Sequence, residues 1–183
     1  MKRLCCLIML AVIAAAGCAS APETRYYTLD MQGGGRGVVP VRLEILPLDS
    51  IQPLSRGQIL IQATPTEIEY YAADRWAAGI EELVARKLEV ELVPSPDADR
   101  VLYVSGAILD FGQVDVEGGA EACATLRLSF YADRRRETPA VLEKTYAARV
   151  AVAEPTAETV VGALSDAVER IASVIAADLK NLS

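Results

Sequence analysis

The chain has 183 residues, of which 25 are acidic, 18 are basic and none is histidine. Without histidine, neither a Ser-His-Asp or Cys-His nucleophile nor a His-based zinc site can be built. The excess of acidic side chains argues against nucleic acid as a partner, because phosphate binding needs a basic surface. We therefore expect no enzyme activity, no metal and no cofactor. A hydrolase built on paired carboxylates is the remaining catalytic alternative.

The first eighteen residues have the layout of a secretory signal peptide. Lys2 and Arg3 precede an uncharged apolar run over residues 4–16, and Gly17 then leads into Cys18. The run is too short to cross a bilayer, which requires about 20 residues. This segment resembles a bacterial lipoprotein signal, in which a cysteine after small residues is acylated with fatty acids such as palmitate. An ordinary cleaved signal with an incidental cysteine is the alternative.

We accordingly predict removal of residues 1–17, lipidation of Cys18 and a lipidated tether over residues 18–24. Residues 25–183 are predicted to form a single α+β domain. Ala19 follows the cysteine where an inner-membrane retention signal would place Asp, so the resemblance implies sorting to the outer membrane, with the domain facing the periplasm.

The chain that remains after removal of residues 1–17 would carry 16 basic and 25 acidic residues, a net charge of −9. Cys5 and Cys6 leave with the signal, so Cys123 would be the one cysteine besides Cys18. We expect Cys123 to be a buried, small apolar side chain. The alternative is a reactive or intermolecular thiol.

Alternating apolar and polar side chains predict four short strands in the first half of the chain, over residues 25–30, 41–46, 58–63 and 67–71. An amphipathic helix follows, with Asp74 as its predicted cap and Pro94 as its end. Its apolar positions recur at three- and four-residue steps. They are Ile80, Leu83, Val84, Leu88 and Leu92.

Three longer strands are predicted in the second half, over residues 100–116, 122–131 and 140–152. The first is apolar on both faces, which is typical of a central strand. A second amphipathic helix begins at about Thr156. Its apolar positions are Val160, Leu164, Val168, Ile171, Ile175 and Leu179. Because strands and helices are grouped separately, we predict an α+β fold in which two amphipathic helices pack on one face of a largely antiparallel sheet.

Arg134, Arg135 and Arg136 connect the last two predicted strands. We interpret them as a solvated hairpin turn. Contact with lipid headgroups or with an acidic partner is the alternative.

Several short motifs resemble one family of envelope proteins. They are the lipoprotein signal, the sequence RYYTL at 25–29, Leu46-Pro47, PLSRGQI at 53–59, and Arg75-Trp76 before the first helix. Together they resemble the PqiC-like auxiliary lipoproteins of ABC-type transport systems, which accompany MCE-domain lipid transporters. One departure is that Ala78 and Gly79 stand where this family commonly has Glu-Pro.

The resemblance implies a non-catalytic, lipid-anchored component of an ABC/MCE-type system that moves phospholipid or another apolar solute between envelope membranes. It implies an MCE-domain protein as partner, and it admits a homo-oligomer. The alternative function is an envelope scaffold or regulator that activates a cell-wall synthesis enzyme.

Aromatic side chains are the candidates for partner contact, because they are enriched at protein interfaces. We single out Tyr26, Tyr27 and Trp76, with Tyr70 and Tyr71 as further candidates. The alternative is structural. Trp76 would then anchor the core where helix meets sheet, and the tyrosines would be half-buried strand residues.

Overall fold

The computed structural model describes residues 23–32 and 37–182. Cys18, the predicted signal and most of the predicted tether lie outside these residues. The elements of the described part follow in this order: β1 (Arg25–Tyr27), β2 (Gly37–Val39), β3 (Arg42–Ile45), β4 (Asp49–Ser50), a 3-10 turn (Leu54–Arg56), β5 (Gln58–Thr64), β6 (Glu67–Trp76), α1 (Ile80–Glu91), β7 (Leu92–Pro94), β8 (Val101–Val116), β9 (Gly119–Tyr131), β10 (Leu142–Val152) and α2 (Ala157–Lys180).

The main sheet has the strand order β1-β6-β5-β8-β9-β10, and β3 and β4 also pair with β8. The hairpins β5–β6, β8–β9 and β9–β10 are antiparallel. Strands β3, β4 and β5 pair with one edge of β8 in succession, and all three are parallel to it. Strand β9 pairs with the other edge. Strand β8 is therefore central, as predicted. A second, two-stranded parallel sheet joins β2 to β7.

Both helices contribute to one hydrophobic core with the sheet. Helix α2 packs against β8, β9 and β10, and α1 packs against α2. On β9, Leu126, Leu128 and Phe130 are buried while Arg127 on the opposite face is exposed. All six predicted apolar positions of α2 are buried. The predicted α+β fold with two amphipathic helices is thus confirmed.

The predicted start of the second helix at about Thr156 is also confirmed, and Thr156 is its N-cap. Thr156 Oγ1 accepts a hydrogen bond from the backbone N–H of Thr159 at 3.2 Å, and Thr159 Oγ1 accepts one from the N–H of Thr156 at 2.9 Å. This reciprocal capping satisfies two donors that the first turn of the helix would otherwise leave without partners.

The predicted cap of the first helix is wrong. Strand β6 continues through Asp74 to Trp76, and α1 begins only at Ile80, after Gly79. The Asp74 carboxylate instead contacts Arg25 of β1. Trp76 is held on the sheet because its ring packs against Phe111 of β8, with 5.6 Å between ring centroids. These contacts keep the chain extended through Trp76, two residues beyond the proposed cap at Asp74.

Candidate functional site

The predicted contact residues separate into exposed and buried groups. Tyr26 on β1 is 68% exposed, and Tyr27 beside it is half-buried. Trp76 is only 5% exposed and lies in the core. Its position at the end of β6 is that of the core anchor considered as the alternative. Cys18, the predicted lipidation site, lies outside the described residues.

Two polar contacts lie near each other, one where β1 pairs with β6 and one where a side chain of β6 reaches across β5 to β8. We call Arg25, Tyr27, Asp74, Tyr71 and Gln113 the first-strand cluster. Arg25 Nε lies 2.7 Å from Asp74 Oδ1, and the Asp74 side chain is almost fully buried. The Tyr71 hydroxyl donates to Gln113 Oε1 at 2.5 Å. Gln113 Nε2 in turn donates to the Asp115 carboxylate at 2.6 Å.

The electrostatics of the first-strand cluster favour neutral tyrosines and a charged arginine. Burial raises the pKa of Tyr71, and the Asp115 and Asp74 carboxylates add to this increase. Burial, followed by the charge of Asp74, likewise raises the pKa of Tyr27. The hydrogen bond with Asp74 raises the pKa of Arg25. Each of these groups is therefore suited to donating a hydrogen bond at neutral pH and unsuited to accepting a proton.

The Arg25–Asp74 contact of the first-strand cluster fastens β1 to the sheet. Strand β1 has only three residues, and it pairs with β6 through Arg25–Asp74, Tyr26–Arg75 and Tyr27–Trp76. Such a short edge strand contributes few backbone hydrogen bonds, so a charge-assisted contact to the buried Asp74 carboxylate matters more for its position. Sequence analysis identified Tyr27 and Tyr71 but assigned Asp74 a different role.

The PLSRGQI motif forms a packed turn that leads into β5. Leu54 is buried, and Gly57 adopts a positive φ of 73°, which favours glycine. Tyr70 of β6 donates from its hydroxyl to the carbonyl of Pro53 at 3.3 Å. The guanidinium of Arg56 lies 5.1 Å from the centre of the Tyr70 ring. Within the described residues, this motif thus acts by positioning β5 against β6.

A groove of about 550 Å³ lies between α1 and the connection from β3 to β4. Its walls combine apolar residues with an acidic margin on the helix. The apolar residues are Ile45, Leu46, Pro47, Leu48 and Ala85, and the charged ones are Glu81, Glu82, Arg86 and Glu89. Sequence analysis did not identify this groove, although Leu46-Pro47 was part of the motif set. The groove could not be located from sequence because the contact between β3 and α1 is not local.

Other chemistry in the described residues is sparse. No group of three or more His, Cys, Asp or Glu side chains in residues 23–32 and 37–182 could hold a metal ion. No helix in this part of the chain has the length and apolarity needed to cross a membrane. Cys123 is 2% exposed, which confirms the prediction of burial. Burial also raises the pKa of its thiol to about 11, so the unreactive protonated form predominates.

The sequence matches no protein-family model and none of the curated proteins. The structure is similar to the crystal structure of protein XCC0632 from Xanthomonas campestris, which carries the family designation DUF330. The TM-score is 0.67 at 11% sequence identity, over 87% of this chain and 100% of that one. A second crystal structure, of an uncharacterized protein, gives a TM-score of 0.61 at 11% identity, over 86% of this chain and 99% of the other. At this identity the similarity establishes that the chain has the fold of a DUF330 protein.

Proposed function

We propose that this protein is a non-catalytic, lipid-anchored component of an ABC/MCE-type transport system, attached to the outer membrane and facing the periplasm. The cargo would be phospholipid or another apolar solute. The observation that carries this proposal is the position of β1. The chain passes from a lipoprotein-like cysteine, through a short tether, directly into a strand that the Arg25–Asp74 contact fastens to the sheet.

The length of the tether supports a domain held close to its membrane. Six residues separate Cys18 from Arg25, and an extended chain covers about 3.3 to 3.6 Å per residue. The tether therefore reaches only about 20 Å. Lipidation with several chains would make the attachment long-lived, because one chain alone gives only marginal binding.

The first-strand cluster supports a binding role over a catalytic one. Its Asp74 carboxylate contacts Arg25, its Tyr71 hydroxyl donates to Gln113, and the tyrosine hydroxyls stay protonated at neutral pH. Its contacts hold strands together and leave Tyr26 exposed beside them. An exposed tyrosine on a fixed strand is suited to protein contact, because it contributes large apolar area and loses little side-chain entropy. The motif resemblance and the DUF330 fold are in accord with the transport role.

The decisive experiment compares the full-length protein with Cys18→Ala in cells, by membrane fractionation, in-cell crosslinking and affinity purification. Cys6→Ala is the matched control, because it removes a cysteine from the predicted signal and leaves the acylation site intact. We expect the parent and Cys6→Ala to recover an MCE-domain protein from the outer-membrane fraction. Cys18→Ala should be absent from the outer-membrane fraction and should not recover the MCE-domain protein. Recovery of a cell-wall synthase, with no MCE-domain protein, would contradict the transport role.

A second variant separates anchoring from partner binding. Tyr26→Ala should leave the protein in the outer-membrane fraction and reduce recovery of the partner. Val174→Ala on α2 is its control, because Val174 is also an exposed apolar residue, at 46%. Equal recovery with both variants would remove Tyr26 from the contact surface.

A further inference from the structure

The outer edge of β10 is the longest edge of the main sheet. Its eleven residues pair with β9 along their whole length, and among the described residues no strand pairs with its other side. Backbone N–H and C=O groups on an exposed edge can bind another strand, so proteins usually protect such edges or use them. A strand of this length is sufficient for a specific intermolecular pairing.

Charged side chains on β10 select one register for such a pairing. Glu143 and Arg149 are six residues apart, so they lie on the same face of the strand. If two copies pair antiparallel about a two-fold axis at Tyr146, Glu143 of each copy lies directly opposite Arg149 of the other. A shift by two residues in either direction keeps the same backbone groups facing the partner but places Glu143 opposite Ala147 or Ala151, so the attractive pairs are lost. Directly opposed unlike charges stabilise a sheet, and like charges destabilise it.

The remaining pairs in this register are also compatible. Leu142 lies opposite Val150, Lys144 opposite Ala148 and Thr145 opposite Ala147, so no like charges meet on either face. A two-fold axis gives each copy the same contacts twice, as is typical of protein dimers. The axis of an antiparallel strand pair runs perpendicular to the sheet. Both copies therefore present the same face on the same side of the combined sheet.

A side chain of α2 contacts the outer edge of β10, and a second copy could displace it. Arg170 of α2 donates from Nη1 to the carbonyl of Arg149 at 2.9 Å. Arg149 itself contacts Glu121 of β9, with 2.9 Å from Nη1 to Oε2. Both arginine side chains are largely exposed, so each can rearrange without uncovering the core. Glu143 is exposed, and no ion pair of Glu143 is present within residues 23–32 and 37–182.

We propose that β10 is the interface between two copies of this chain, paired antiparallel through Glu143 and Arg149. The sheet then continues from one copy into the other. This proposal is independent of the transport role, because it depends only on the geometry of β10.

The test is a charge exchange followed by sedimentation of the full chain in detergent. All variants carry Glu121→Gln, so that the contact within each copy does not differ among them. Glu143→Arg and Arg149→Glu should each weaken dimer formation about tenfold, since each replaces two attractive pairs with repulsive ones. The combined variant should restore the dimer, because the unlike charges again face each other. A monomeric parent, or a double variant no better than the singles, would overturn the proposal.

Disulfide crosslinking tests the register separately. In the proposed pairing, position 145 of one copy lies beside position 147 of the other, while two identical positions are diagonal and too far apart for a bond. Thr145→Cys and Ala147→Cys chains, tagged differently and expressed together, should form a mixed disulfide dimer. Each variant alone, and the parent chain with its own cysteines, should not. Crosslinking of either variant to itself, without the mixed product, would overturn the register.

Discussion

Lys87 is a charged side chain inside the core, and it joins the two helices. Its side chain has no exposed area, and Nζ lies 2.8 Å from Oε1 of both Glu91 on α1 and Glu169 on α2. Burial alone would lower the pKa of Lys87, but the hydrogen bonds to Glu169 and Glu91 outweigh it and raise the pKa. The ammonium group therefore stays charged and holds two carboxylates between the helices.

We expect Lys87→Met to lower the free energy of unfolding by about 3–5 kcal/mol, because it removes the cation from a buried ionic contact. Urea unfolding followed by circular dichroism measures this loss. Arg86→Met is the control, since Arg86 is 61% exposed and lies 3.8 Å from Glu82. It should change stability by no more than about 0.5 kcal/mol. Similar losses for both variants would mean that the buried contact has no special weight.

Asp133 organises the turn that precedes β10. Its carboxylate accepts hydrogen bonds from the Thr138 hydroxyl at 2.6 Å and from the backbone N–H groups of Glu137 and Thr138 at 3.0 and 3.1 Å. These bonds, led by that of the Thr138 hydroxyl, lower the pKa of Asp133 to about 2. The fixed turn favours the solvated-hairpin interpretation of the arginines, as does the contact of Arg134 with Glu44 at 3.2 Å.

The lowered pKa of Asp133 gives this turn a defined dependence on pH. Because the folded pKa lies below the unfolded one, the stabilisation is complete above about pH 4 and is lost as the pH falls through about 2. The amide signals of Glu137 and Thr138 in NMR spectra should follow that titration. Asp133→Asn should abolish it, whereas Glu137→Gln should leave it in place. A titration that persists in Asp133→Asn would have another origin.

At the scale of elements, two glycines should respond in opposite ways to the same substitution. A Cβ atom at Gly112 of β8 would lie 2.7 Å from the carbonyl oxygen of Leu60 and 3.0 Å from its Cβ. Gly112→Ala should therefore push β5 from β8 and lower the free energy of unfolding by about 1–3 kcal/mol. Gly162 on α2 has open space around that position. Gly162→Ala should raise stability by about 0.5–1 kcal/mol, because alanine favours the helix. Chemical denaturation of both variants tests the prediction, and changes of the same sign would contradict it.

The elements differ in how far sequence could predict them. Helix α2 was predictable because its cap and its apolar spacing are local features, and the same holds for the long hairpin of β8 and β9. Lys87 and Glu91 are buried because they fall at the helical spacing of Ile80, Leu83 and Leu88. Their charges, however, favour a prediction of exposure from sequence. The two or three residues of β2, β4 and β7 carry no periodicity, so only their distant partners make them strands.

At the scale of the whole molecule, the predicted strands were mostly correct but their order was not predictable. Strands β3, β4 and β5 line up along a single edge of β8, with Arg42, Asp49 and Leu60 level with Val101, Ala107 and Gly112. Such parallel pairings bring together segments far apart in the chain, so local patterns do not encode them. The first-strand cluster depends on the same long-range order. The sequence indicated Tyr27 and Tyr71 as candidate contact residues, but it could not show that Asp74 lies beside Arg25.

The direction of β1 determines how the domain bears mechanical load. Strand β1 is parallel to β6 and therefore antiparallel to β8, so its N-terminal end faces the end of the sheet that carries the β8–β9 turn. A pull on the N-terminal end of β1 along the strand axis acts in shear. The backbone hydrogen bonds of β1 and the Arg25–Asp74 contact then bear the force together and are not opened one at a time. The three residues of β1 thus resist separation from the sheet when force is applied through the N-terminus.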